Sequence, residues 1–128
     1  MVVKATGDST HPFWYARVLG IFHTLVRKHP RQPYQRLEFL WVRWLARDLT
    51  QPSGQQYHRL DKVSYSTDDQ TGDSLLPFGF INPNQVVRGA HLIPAFESGA
   101  TFEYLPGQSV LAHDLEKDGD WKYWYVMR

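Results

Sequence analysis

His11-Pro12-Phe13-Trp14-Tyr15-Ala16-Arg17-Val18-Leu19-Gly20-Ile21-Phe22-His23, answered by Leu37-Glu38-Phe39-Leu40-Trp41-Val42-Arg43-Trp44, is the pair of stretches that decides the fold. Both crowd aromatic and β-branched side chains around lone arginines, and such residues fit a pleated, half-buried surface better than a helix. The pattern predicts two long antiparallel strands, over about 13–26 and 36–45, joined by a turn where Pro30 and Pro33 break the alternation. The first strand offers Phe13, Tyr15, Arg17, Leu19, Ile21 and His23 on one side and Trp14, Ala16, Val18, Gly20 and Phe22 on the other. Neither side is polar, as expected of a strand covered on both faces, and Gly20 permits a bulge or sharp bend.

Outward from this hairpin, residues 1–10 are polar around Gly7-Asp8-Ser9-Thr10 and are expected to form a flexible N-terminal arm, leaving 11–128 as one domain. Residues 57–66 alternate in the manner of a third strand with one wet face. Thr67 to Ser74 reads as a polar loop, and the Pro- and Gly-interrupted run 75–83 as irregular but tucked against the core. Asn82 to Gly89 suggests a turn and one helical or 3₁₀ turn. A fourth strand over 90–96 is cut at Pro94, a turn falls at Pro106-Gly107, and Trp121 to Met127 supplies a last strand. The expected class is mostly β, a small SH3-like antiparallel barrel of five to seven strands with at most one short helix.

With 128 residues the chain suits one domain. Aromatics at 15% point to a core built from large rings. The absence of cysteine excludes disulfides, thiolate zinc sites and cysteine nucleophiles. No signal-peptide pattern and no run long enough to cross a bilayer is present, so an intracellular, non-membrane protein is expected. Fourteen Lys and Arg against thirteen Asp and Glu give a net charge of +1, too little for strong sequence-independent attraction to nucleic acid. The charge is uneven, however: Arg17, Arg27, Lys28, Arg31, Arg36, Arg43 and Arg47 face only Glu38 between positions 17 and 47.

Three constellations carry chemistry. Trp14, Tyr15, Trp41, Trp44 and Tyr57, with Asp48 or Asp61 nearby, have the composition of an aromatic cage for a methylated ammonium, and equally of a ring-built core. Arg17, Arg43 and Arg88 carry donor forks suited to phosphate or carboxylate, or to structural pairing with Glu38, Asp48 or Glu97. The basic turn Arg27, Lys28, Arg31 and Arg36, with Tyr34 as a stacking ring, is a candidate nucleic-acid contact or a solvated loop. None of the six histidines falls in a metal-ligand spacing, no nucleophile elbow occurs and no glycine-rich phosphate loop is present. The expectation is therefore a binding module, not an enzyme, without metal or cofactor.

The blocks 11–23, 36–44, 77–97 and 120–126 resemble the C-terminal domain of fungal Plavaka-type transposase-like proteins, in the same order and over most of the chain from His11 onward. That resemblance implies a transposon-derived setting and no catalytic chemistry at this end of the protein. Tyr15-Ala16-Arg17-Val18-Leu19-Gly20-Ile21, Val42-Arg43-Trp44 and Val87-Arg88-Gly89 also resemble bromo-adjacent homology (BAH) domains of chromatin proteins, although Leu45-Ala46-Arg47-Asp48 stands where those carry an aromatic, Arg and Pro. This second resemblance implies a BAH-like distorted barrel. Together they imply a nuclear protein that binds a chromatin component or histone tail through an aromatic-lined mouth at Tyr15, Trp41, Trp44, Tyr57 and Arg88. The alternative is a DNA-binding accessory domain using the 27–36 turn.

Overall fold

The two aromatic stretches pair with each other, and the rest of the sheet is assembled around them. The computed structural model describes residues 1–4, 11–66, 77–101 and 120–128. Its strands are β1 (Val2–Lys4), β2 (Phe13–Val26), β3 (Gln35–Arg47), β4 (Asp61–Tyr65), β5 (Phe78–Ile81), β6 (Val86–Arg88), β7 (His91–Pro94), β8 (Ala100–Thr101), β9 (Asp120–Trp121) and β10 (Trp124–Met127). Three 3₁₀ turns, Gln55–Tyr57, Pro83–Gln85 and Phe96–Ser98, are the helical elements among the described residues. The protein is mostly β, as its composition predicts, with antiparallel pairing throughout. The main sheet runs β6-β1-β2-β3-β4-β10-β7, with β5 beside β3 and β8–β9 forming a separate ribbon. The main sheet is open, with β6 and β7 at its ends. Among the described residues no helix is long and apolar enough to cross a membrane.

Pairing of β2 with β3 extends from Tyr15↔Leu45 to Val26↔Gln35 and slips once, where Val18 faces Val42 and Gly20 faces Trp41. Leu19 is the inserted residue of a bulge. An extra residue reverses the alternation of everything beyond it. Tyr15 and Arg17 share a face with Leu45 and Arg43, but past the bulge that face is continued by Gly20, Phe22 and Thr24 opposite Trp41, Phe39 and Leu37. The uninterrupted face from Phe13 to His23 expected from the sequence is therefore split at Leu19.

The base of the hairpin is covered on both faces. On one, Val2, Tyr15, Leu45, Val63, Tyr65, Trp124 and Val126 form a buried cluster. On the other, Val3, Ala16, Leu40, Val42, Trp44 and Ile81 form a second, with Trp14 packed against it. Neighbours in sequence (Val2 and Val3, Tyr15 and Ala16, Trp44 and Leu45) fall in different clusters, as alternation along a strand requires.

Several expectations need correction. Val2–Lys4 is not a loose arm but a strand, paired with Phe13–Tyr15, and Val2 and Val3 are both buried, one in each cluster; residues 5–10 of that expected arm, the loop at 67–74 and the turn at Pro106-Gly107 lie outside the described residues. Phe78–Ile81 is a regular strand along Leu40–Arg43. Its interrupting glycine is what lets it approach: a Cβ on Gly79 would lie 2.6 Å from Trp44 Nε1. The third strand is shorter than expected, Asp61–Tyr65, because Tyr57 closes a 3₁₀ turn and His58 takes a positive φ of 51°. After Asn82 caps the turn at Pro83–Gln85, Val86–Arg88 extends and pairs with β1 instead of continuing as a helical turn. The described residues hold ten strands, more than the five to seven expected, because short edge strands carry little periodic signal.

Candidate functional site

Past the bulge the hairpin leaves the core. Every residue of β2 from Ile21 to Val26 is exposed, as are Gln35 to Glu38 of β3. This distal arm is apolar, not polar: Ile21 is 77% exposed, and Phe22, Leu25, Leu37 and Trp41 are also exposed. Short β5 adds Phe78 and Phe80, the latter 70% exposed. The register places Phe22, Leu37, Phe39, Trp41, Phe78 and Phe80 on one face. Their rings touch in series: Phe22 stacks on Phe39 with centroids 5.6 Å apart, Phe39 meets Phe80 edge-on at 5.6 Å, and Trp41 stacks on Phe78 at 5.9 Å. The outer edge of β2 beyond Ala16 pairs with no strand among the described residues.

The tip of the arm gathers the cations. Arg27 lies over the Tyr34 ring at 4.6 Å and donates from Nη1 to the Pro30 carbonyl at 2.9 Å. Lys28 and Arg31 are exposed beside it, and Arg36 pairs with Glu38 at 3.2 Å in full solvent. The five residues singled out for nucleic acid, Arg27, Lys28, Arg31, Tyr34 and Arg36, thus share one protruding element.

The expected aromatic mouth is not assembled. Tyr15, 1% exposed, and Trp44, 7% exposed, are core residues in different clusters on opposite faces. Trp41 is 38% exposed but sits on the arm, Tyr57 ends a 3₁₀ turn, and Arg88 ends β6. Sequence reasoning placed these rings together because alternation gives a face but not where along a long strand the core stops. Phe22, Phe39, Phe78 and Phe80 were missed as site residues for the same reason. Their signal is an apolar strand face that outruns the partners available to cover it.

The arginines opposite each other at Arg17↔Arg43 are structural. Arg43 is buried, donates to the carbonyls of Ser66 and Pro77 at 2.6 and 2.8 Å, and lies between the rings of Tyr65 and Phe78. Arg17 donates to the Tyr65 hydroxyl at 2.9 Å. The carboxylates proposed as their partners are engaged elsewhere: Glu38 with Arg36, Asp48 with Thr50, Glu97 with the Tyr125 hydroxyl.

At the opposite end of β2 a polar knot closes the base. Asp61 is buried and accepts from the hydroxyls of Tyr15 at 2.5 Å and Ser53 at 3.1 Å, with His11 Nε2 at 3.2 Å. Burial alone would raise its carboxyl pKa, but the Tyr15 hydrogen bond, the charge of His11, the Ser53 hydroxyl and the Arg128 guanidinium together hold it below the ordinary aspartate value. The same burial, with the hydrogen bond to Asp61, pushes the Tyr15 phenol well above its ordinary range. Such a knot fixes a loop, two strands and the His11 backbone in one place. Its hydroxyls are committed to Asp61, so it presents no free nucleophile.

Among the described residues no group of three or more His, Cys, Asp or Glu gathers as a metal site. No protein-family model, no curated protein and no solved structure matches the chain.

Proposed function

We propose that this chain is a non-catalytic recognition module that docks a protein partner on the aromatic face of the β2–β3–β5 arm. One observation carries the reading: the two strands that build the core at their base continue past it with rings still in series and, among the described residues, no layer over them. Contiguous exposed apolar surface of this kind marks interaction sites on soluble proteins. The edge of β2 beyond Ala16, which pairs with no strand among the described residues, adds a second handle, since an extended segment can hydrogen-bond along it while its side chains reach the rings.

The tip selects the partner's charge. With Arg27, Lys28 and Arg31 at its end and Arg36 behind them, the arm favours an acidic, apolar segment and repels a lysine-rich one. A chromatin protein fits this reading better through an acidic surface than through a histone tail, whose lysines need a cage that Tyr15 and Trp44 are too buried to line. The resemblances to the transposase-associated and BAH domains support a binding module in a nuclear, transposon-derived setting. A second reading, nucleic acid held by the tip, rests on Arg27 over Tyr34 beside three further cations.

An array of extended peptides, acidic-aromatic, neutral, and histone-tail sequences with and without methylation, tests the reading beside elution from heparin against salt. Acidic-aromatic peptides are expected to be retained, and Trp41→Ser with Phe80→Ser to lose at least tenfold, in the range of removing a central interface anchor. Heparin elution is expected at low salt. An empty array overturns the reading. Steep salt-dependent retention, abolished by Arg27→Gln with Lys28→Gln and Arg31→Gln but indifferent to Phe80→Ser, moves the function to nucleic acid.

A further inference from the structure

At the end of the sheet remote from the arm's tip, a cleft of about 540 Å³ opens over the start of β2. It is separated from the tip by the length of β2, roughly 40 Å at 3.3 Å per residue. Three guanidinium groups line it, brought by three separate pieces of chain: Arg59 before β4, Arg88 at the end of β6 and Arg128 after β10. His58 stands beside them. Phe13, Leu60 and Val126 supply apolar wall.

The charge balance of this cleft is unusual. Asp61 is the one acidic side chain in its lining, and its oxygens already accept from Tyr15 and Ser53 and lie against His11. Arg128 is only loosely engaged, 3.9 Å from Asp61 and resting over the Phe13 ring at 5.2 Å. No carboxylate or carbonyl of the described residues meets the side chain of Arg59 or Arg88. Three cations around one cleft exceed the single, already engaged Asp61 side chain among the described lining, and an anionic guest relieves their mutual repulsion.

Local backbone holds Arg59 at this position. A paired contact, Gly54 N to Arg59 O at 2.8 Å and Arg59 N to Gly54 O at 3.3 Å, closes a tight loop in which His58 is forced to a φ of 51°. A left-handed non-glycine residue costs of order 1 kcal/mol or more and persists only where the surroundings hold it. The same loop places Ser53 on Asp61, so the cleft wall and the polar knot are built by one segment.

We propose that this cleft binds a phosphoryl group on an apolar or aromatic carrier. A phosphomonoester offers three oxygens and close to two negative charges, matching several planar donor forks better than a carboxylate does. The apolar wall and a volume within the range of small-ligand sites leave room for the carrier beside Phe13 and Leu60. The carrier's source is either a free aryl phosphate or a phosphorylated tyrosine side chain. This site is independent of the arm and of what docks there.

The test is calorimetric or NMR titration of the full chain with phenyl phosphate, a phosphotyrosine peptide, inorganic phosphate and phenol. Saturable binding of phenyl phosphate or the phosphopeptide is expected, tighter than inorganic phosphate and with phenol silent. A preference for the peptide assigns the source to a protein, and a preference for phenyl phosphate to a small molecule. Arg59→Gln and Arg88→Gln should each weaken binding about tenfold, the scale of one charge-assisted hydrogen bond. Both side chains are exposed, so unchanged melting temperatures are expected to accompany the loss. Lys122→Gln, at an exposed cation that lines neither site, should leave the titration as it is. Absence of saturable binding, indifference to both cleft substitutions, or equal affinity for inorganic phosphate overturns the proposal.

Discussion

The base and the distal arm of the β2–β3 hairpin are made of the same kinds of residue and have opposite fates. At the base, Tyr15, Ala16, Val42, Trp44 and Leu45 are buried, because β1, β4, β5 and β10 deliver side chains to both faces. Past Leu19, Ile21, Phe22, Leu25 and Leu37 are as apolar and as regularly paired, yet nothing described covers them. Cross-strand hydrogen bonding continues through both regions, so the ladder is not what separates them. What separates them is whether a second layer exists, and hydrophobic stabilisation follows area removed from water, not apolar character.

The largest effect that should divide the two regions is ring truncation. Trp44→Ala removes an indole that fills the space over Gly79 and packs edge-on against Trp14 at 5.8 Å. A loss of about 3–5 kcal/mol is expected, enough to unfold a protein of ordinary marginal stability. Phe80→Ala on the arm removes a ring that is mostly in solvent already and should cost under about 0.5 kcal/mol. Urea denaturation monitored by circular dichroism measures both. Equal losses would mean that the arm's rings are buried in solution, and the comparison would collapse.

A second and somewhat smaller effect separates the regions by pH. Asp61 has its pKa depressed in the fold, so its contribution to stability is complete above the unfolded value near 3.8 and is lost as pH falls through the lower, folded value. Asp61→Asn should cost about 2–3 kcal/mol at neutral pH, the scale of hydrogen bonds to a buried charge, and should flatten that acid limb of the stability curve. At the arm, Glu38 pairs with Arg36 in full solvent, where an ion pair adds little. Glu38→Gln should leave both stability and its acid limb within about 0.5 kcal/mol of the parent. An acid limb unchanged in Asp61→Asn would remove the buried knot as its cause.

The strands themselves were legible because aromatic and β-branched density in 13–26 and 36–45 leaves helix no foothold, and the glycine at position 20 marked the bend. What the bulge did to the faces was not legible. A register slip depends on which residue is extruded, and Leu19 looks like any other strand residue. The candidate mouth failed at Tyr15 and Trp44 because a ring's exposure depends on which non-local strand arrives over it, and β1, β5 and β10 lie far away in sequence or carry too few residues to show a period. The basic tip needed no such information. Arg27 to Arg36 lie within ten residues of one another, so their proximity is a property of the chain, and the structure brings them together.

The smallest expected difference, and the sharpest, comes from adding one methyl group at two glycines. At Gly79 a Cβ would sit 2.6 Å from Trp44 Nε1 and 3.3 Å from its Cε2, and that indole is held by Trp14 and the second core cluster. Overpacking of this kind forces a shift of β5 or of the indole and should cost about 1–3 kcal/mol. At Gly20 the same Cβ would lie 2.6 Å from Phe22 Cε2, an equally short approach. There the obstructing atom is the far end of an exposed ring, which can rotate into solvent once its stacking on Phe39 is given up. Restricting the unfolded chain by replacing glycine favours the fold by about 0.4–1 kcal/mol and offsets that lost contact. Gly20→Ala is therefore expected within about 0.5 kcal/mol of the parent while Gly79→Ala is clearly destabilised, both read from denaturation midpoints. Identical clashes with different outcomes would show that it is the second layer, not local geometry, that makes the base rigid and leaves the arm able to yield.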